Sequence, residues 1–126
     1  MSGERVFLDT NVIVYAYDRD AGRKREIARD LLIGLWNDGG GVLSSQILQE
    51  LYVTVTRKIG RPLAADEAAE IVEDFLSWDV IANDGEAVLQ AIKIQGGAEI
   101  LLTEDLSDGR RFGNLIVRNP FAQSGP

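Results

Sequence analysis

The stretch Arg5, Val6, Phe7, Leu8, Asp9, Thr10, Asn11, Val12 decides the fold. Arg5 to Leu8 is short, apolar and β-prone, and reads as a buried parallel strand that ends at Asp9. Thr10 and Asn11 then open a short helix through about Tyr17. After a loop from Asp18 to Gly22, Ile27, Leu31, Leu32 and Leu35 follow helical spacing between Arg23 and about Asn37. Asp38 and the glycines to Gly41 stop that helix.

The same alternation continues. Val42 to Ser44 reads as a second strand, and Ser45 is a plausible N-cap for a third helix. That helix has Ile47, Leu48, Leu51, Tyr52 and Val55 on one face and ends near Gly60, Arg61 and Pro62. A fourth helix starts near Ala65 and Asp66, with Ala69, Val72, Phe75 and Leu76 inward. Trp78 to Ile81 reads as a third strand, Gly85 to about Gln95 as a fifth helix, Ile100 to Thr103 as a fourth strand, and Leu115 to Val117 as a fifth. Strands alternating with helices imply a three-layer α/β/α sandwich around a central parallel sheet. In such sheets ligands bind beyond the carboxyl ends of the strands, so the residues just after each strand are the first to inspect.

The bulk numbers bound the chemistry. A chain of 126 residues suggests one domain, 1–126, long enough for a real core without disulfide staples. It contains no His and no Cys. That excludes a Ser-His-Asp triad, a thiol nucleophile, an ordinary zinc site and RNA cleavage by a histidine acid/base pair. Any enzymatic chemistry must come from carboxylates, hydroxyls, Lys, Arg or a hard metal. The net charge of −7 argues against a broad basic surface for nucleic acid and fits either a protein that does not bind nucleic acid or one whose acids are concentrated in a metal site, which total charge alone does not separate. No apolar run approaches the roughly 20 residues of a membrane span, and Met1 to Arg5 lack the pattern of a signal peptide, so the cytoplasm is the expected compartment.

Asp9 follows the first strand, Glu104 and Asp105 follow the fourth, and Glu50 lies one turn beyond Gln46 on the helix after the second. Three acids from separate segments can converge at one sheet edge. Packed carboxylates repel unless a cation neutralises them, and hard oxygen ligands suit Mg²⁺ or Mn²⁺. Such a metal can polarise a phosphoryl oxygen and activate water for in-line attack. Taken singly each acid has a plainer reading: Asp9 as a helix cap, Glu50 as a solvated helix residue, Glu104 and Asp105 as turn residues. Their joint placement favours a site. The cluster Arg57, Lys58 and Arg61 is a candidate for RNA phosphates, while Trp36 and Trp78 read as core or interface residues. A phosphoacceptor of the response-regulator kind also uses acids at strand ends, but needs an acid pair and a Lys in an arrangement not found here.

Asp9-Thr10-Asn11 after a strand, Ser44 to Gln46 with Glu50 four residues on, Thr103 to Leu106 after a late strand, and Asn119-Pro120-Phe121 near the end resemble the signatures of the PIN-domain family, the last in its VapC-type toxin subgroup. The likeness runs from about Val6 to Phe121. It implies a metal-dependent endoribonuclease that cuts RNA and not DNA, usually the toxin of a toxin–antitoxin pair, commonly a dimer held by an antitoxin protein. By that resemblance Asp9, Glu50 and Asp105 are the catalytic, metal-site acids: Asp9 is the central ligand, Glu50 binds metal or orients the attacking water, Asp105 completes the site directly or through water, and Asn11 and Thr103 support them by hydrogen bonds.

The pattern breaks at one place. A further family Asp, on a helix before the fourth strand, has no counterpart between Gln95 and Gly96, where about 20 residues, one helix and its connection, are absent. Either the protein lacks this helix, leaving three acids and a catalytically weak or inactive RNA- or protein-binding module, or a stretch is missing from the sequence and its flanks are joined. A lost buried helix would bare a sheet face, yet the third strand, fifth helix and fourth strand still make a workable βαβ unit. Asp84 and Glu86 are poor substitutes, since acids at a helix start are favoured anyway.

Overall fold

The computed structural model describes residues 5–81, 99–102, 111–112 and 115–122. Within them β1 (Arg5–Leu8), α1 (Thr10–Tyr17), α2 (Arg23–Asp38), β2 (Gly41–Ser44), α3 (Ser45–Arg57), α4 (Ala65–Phe75), β3 (Asp79–Ile81), β4 (Glu99–Leu102), β5 (Arg111–Phe112) and β6 (Leu115–Arg118) follow in order. The strands form one sheet, ordered β3-β2-β1-β4-β6-β5. All neighbours are parallel except β5, which pairs antiparallel with β6 at the edge. The expected α/β/α sandwich is the fold. The antiparallel edge strand is an addition to it: two residues carry no alternation to read, and only pairing with β6 makes them a strand. The helix expected over Gly85–Gln95 and the junction at Gln95 and Gly96 lie outside the described residues.

The chain steps outward from β1 to β2 to β3, so right-handed crossovers carry α1 to α4 over one face of the sheet. There α1 packs on α2 and α3, and α3 packs on α4. The core between helices and sheet holds Leu8, Val12, Ile13, Leu43, Leu51, Val55 and Phe75, each at most 1% exposed. Burying a side chain of this size stabilises the fold by about 1.5–3 kcal/mol.

Local chemistry sets the element ends, and several expectations are corrected. The N-cap of α3 is Ser44 and not Ser45: the Ser44 hydroxyl accepts a hydrogen bond from the Ile47 amide at 3.1 Å. The helix therefore starts directly at the end of β2, and it closes at Arg57, before Gly60. Tyr52, expected inward, is 37% exposed. In α4 Ala68 and Phe75 are buried and Val72 packs partly buried against the core as expected, whereas Ala69 is exposed and Leu76, just past the helix, is 58% exposed. Gly39 ends α2 in the left-handed region at φ 80°, its N–H donating to the Leu35 carbonyl at 2.8 Å.

Trp78 lies just outside β3 and not within it. Its indole covers Gly41, where an added Cβ would run into the ring atoms Cζ3 and Cε3. Trp36, Phe75 and Trp78 form a ring cluster with centroids 4.9–5.4 Å apart. Of the two tryptophans read as core or interface residues, Trp78 packs partly buried against the core and Trp36 is 42% exposed; the cluster ties α2 and α4 to the β2–β3 edge.

Candidate active site

Successive strands leave β1 on one side and β4 on the other, so the sheet changes direction between them. The crevice that opens at the carboxyl ends of such a pair is the natural ligand site of a parallel sheet. Leu8 pairs with Leu102 in the ladder, and the next amide, Asp9 N–H, donates to the Leu102 carbonyl at 3.0 Å. Asp9 thus sits beside the point where the chain leaves β4.

Asp9 is extended, at φ −82° and ψ 159°, and caps α1: its Oδ1 accepts from the Thr10 amide at 2.8 Å. The plain reading of Asp9 as a cap is therefore correct, and it coexists with a place in the crevice. Glu50 comes from α3. The packing of α1 on α3 brings Thr10 to it, and the Thr10 hydroxyl donates to Glu50 Oε1 at 2.7 Å. One turn earlier on α3, Gln46 Nε2 donates to Glu50 Oε2 at 3.3 Å.

Asp9, Thr10, Asn11, Glu50 and Lys58 line one open cleft of about 470 Å³. Two of the three expected acids, separated by 41 positions in sequence, are therefore brought together. Asp105 and Thr103 lie outside the described residues. Asp105 is the third residue after Leu102, whose carbonyl holds Asp9. Among the described residues no group of three or more acids gathers as a metal site. Asn11 reaches the cleft wall, but the hydroxyl that engages Glu50 belongs to Thr10. Sequence reasoning missed Thr10 and Gln46. The i,i+4 spacing of Gln46 and Glu50 was a readable signal, whereas Thr10 needed the fold.

The donor set consists of carboxylate, hydroxyl and amide oxygens with no sulfur or imidazole. That suits a hard divalent cation. Of the basic cluster, Lys58 lines the cleft, Arg57 is exposed, and Arg61 is turned to Asp20 at 3.3 Å. That last pair is exposed on both sides and worth little. Beside the cleft, an apolar groove of about 480 Å³ shares Gln49 and Val53 with it.

The Asn119-Pro120-Phe121 segment is anchored against α1. Asn119 Oδ1 accepts from the Phe121 amide at 2.9 Å, and Phe121 meets Tyr15 edge-on at 5.1 Å. Lys24 Nζ lies over both rings, 4.9 Å from Tyr15 and 5.7 Å from Phe121. On α1, burial and the Asp74 carboxylate push the Tyr17 phenol up from its usual value, against a smaller pull from Arg29. Tyr17 keeps its proton at neutral pH and lies outside the cleft. Among the described residues, no helix is long and apolar enough to cross a membrane.

Comparison with known proteins agrees with the geometry. The sequence pattern of the PIN domain matches residues 6–107. PIN domains have a nuclease-type fold, are generally metal-dependent, and usually use divalent ions. No curated protein matches the chain. Since the match spans most of the sequence and takes in the β1–α1 and β2–α3 junctions that build the cleft, the chain belongs to the PIN domain family.

Proposed function

We propose that this single-domain protein is a Mg²⁺- or Mn²⁺-dependent endoribonuclease of VapC type, the toxin of a toxin–antitoxin pair. The observation that carries the reading is the meeting of Asp9 and Glu50, from two different elements, in one cleft that also holds Lys58. Asp9, Glu50 and, by the resemblance, Asp105 would hold the ion. When bound, it supplies charge neutralisation at the scissile phosphate and a water acidic enough to attack near neutral pH.

The chain's own residues do the rest. Asp9 is fixed in place by the cap of α1 and Glu50 by its two donors. Lys58 lies eight residues beyond Glu50 on the same helix axis, about 12 Å along it. It offers an ammonium to an RNA phosphate away from the reacting one. Arg57 is exposed next to it in sequence but does not line the cleft, and Arg61, paired with Asp20, contributes less. A narrow basic stripe in an acidic protein suits one or two phosphates rather than a long duplex, which favours structured RNA with accessible single-stranded loops over DNA.

Purified protein with Mn²⁺ is expected to cut structured RNA, and EDTA is expected to stop it. Cleavage that continues unchanged in EDTA removes the metal mechanism. Lys58→Ala is expected to weaken RNA binding several-fold and to lower the slope of log K against log salt by about 1, with the cleavage step itself little changed. A salt slope equal to that of the unaltered protein would take Lys58 out of the phosphate path.

The resemblance further supports a cognate antitoxin, a homodimer and a cytoplasmic location. The exposed apolar side chains Ile33, Trp36, Val53 and Leu76 suit protein partners. The unmatched family acid between Gln95 and Gly96 favours a second reading, a binding module that has lost catalysis. That reading predicts no metal-dependent cleavage under any condition, together with a stable fold and a retained partner.

A further inference from the structure

We propose that Thr10 is the positioning residue of the cleft, orienting Asp9 through its main chain and Glu50 through its hydroxyl; the consequence for metal binding rests on the nuclease reading above. Thr10 is 8% exposed, one of two buried polar residues among those described. Its N–H donates to Asp9 Oδ1 at 2.8 Å and its O–H to Glu50 Oε1 at 2.7 Å.

The position of Thr10 in α1 explains why its hydroxyl is available. A Thr inside a helix can turn its hydroxyl onto the carbonyl three or four residues earlier. Thr10 is the first residue of α1, so no carbonyl of its own helix lies there. The hydroxyl turns outward to α3 and finds the Glu50 carboxylate.

Glu50 needs such a partner. It is an exposed residue with three rotatable bonds, and fixing it costs conformational entropy. Two donors hold it, and the magnitudes rank them. The Thr10 contact at 2.7 Å is a short charge-assisted hydrogen bond, while the Gln46 contact at 3.3 Å is long. Each carboxylate oxygen accepts one of these bonds and has further lone-pair capacity. The oriented carboxylate therefore keeps acceptor sites for a hard cation. Thr10 is the main determinant and Gln46 the lesser one.

The test compares Thr10→Val, Thr10→Ser and Gln46→Ala. Thr10→Val keeps shape and main-chain N–H, and so the Asp9 contact, but loses the hydroxyl. Thr10→Ser restores it. Two quantities are read: Mn²⁺ affinity by calorimetry with the metal alone, and the Glu50 χ1 rotamer by three-bond NMR couplings without metal. Thr10→Val is expected to lose about 10–100-fold in Mn²⁺ affinity, the scale of removing a group that orients a ligand. Glu50 is expected to change from one rotamer to an average. Thr10→Ser is expected to stay near wild type in both, and Gln46→Ala to fall between.

A Thr10→Val protein that binds Mn²⁺ like wild type, or that keeps Glu50 in one rotamer, overturns the proposal. If wild type binds no Mn²⁺ yet Glu50 averages only in Thr10→Val, the positioning role stands and the metal reading fails. Thr10→Ala, with the same two readouts, replaces Thr10→Val if circular dichroism shows the latter unfolded.

Discussion

Asp9→Asn is expected to lower RNA cleavage by on the order of 10³-fold or more while leaving the fold intact. The separation of the two effects follows from what Asp9 does. Its Oδ1 caps α1 by accepting from the Thr10 amide at 2.8 Å. Asn caps a helix about as well as Asp, because its side-chain oxygen accepts the same bond. The substitution therefore spares the cap and removes only the charge. At a phosphate that must be held by a cation, that charge is decisive. Groups acting directly on developing charge in phosphoryl transfer are worth about 10³–10⁵ in rate.

Three measurements check this expectation: cleavage of structured RNA in Mn²⁺, Mn²⁺ affinity by calorimetry, and thermal melting. Activity and affinity should fall together while the melting temperature stays within a few degrees of wild type. If Asp9→Asn cleaves at the wild-type rate, Asp9 is a helix cap and nothing more. If it unfolds, the equivalence of Asn and Asp as caps fails at this junction, and the metal role is judged by calorimetry on Glu50→Gln.

How far the sequence led is clearest at the junctions. The β1–α1 junction was legible because the apolar run Val6 to Leu8 gives way to Asp9, Thr10 and Asn11, residue types that cap and open helices. The β2–α3 junction was legible to within one residue. Ser44 and Ser45 offer the same hydroxyl, and only the backbone geometry, extended at Ser44, decides that Ser44 caps. The short edge strand at Arg111 and Phe112 was not legible, because its pairing with β6 is a property of the sheet and not of two residues. Nor was the bond from Thr10 to Glu50, which joins residues 40 apart and exists only once α1 packs on α3. Composition left carboxylates, hydroxyls, Lys, Arg or a hard metal as the available chemistry; the packed fold showed where two of the carboxylates meet.

Phe75→Ala is expected to destabilise the protein by about 3–5 kcal/mol, the cost of emptying a fully buried aromatic site. For a domain of this size that corresponds to a fall of about 10–20 °C in melting temperature. Phe75 is 0% exposed and the largest fully buried side chain among those described. It meets Trp78 at 4.9 Å and 79° and Trp36 at 5.4 Å and 32°. Edge-on and tilted ring pairs each add about 0.5–1.5 kcal/mol beyond area. Tryptophan emission should shift to the red as both indoles lose a partner and gain water.

Leu76 supplies the control, because sequence periodicity placed both residues inward and the structure separates them. Leu76 is 58% exposed, so Leu76→Ala should change stability by no more than about 0.5 kcal/mol. The ratio of the two effects measures the rotational phase of α4. Comparable losses would mean that α4 is turned so that Leu76 also faces the core. The consequence would reach the cleft, since α4 packs on α3, and α3 carries Glu50 and ends at its C-cap Lys58. A strongly destabilising Phe75→Ala beside a silent Leu76→Ala fixes α4 in the observed phase, and with it the support on which the Glu50 side of the cleft depends.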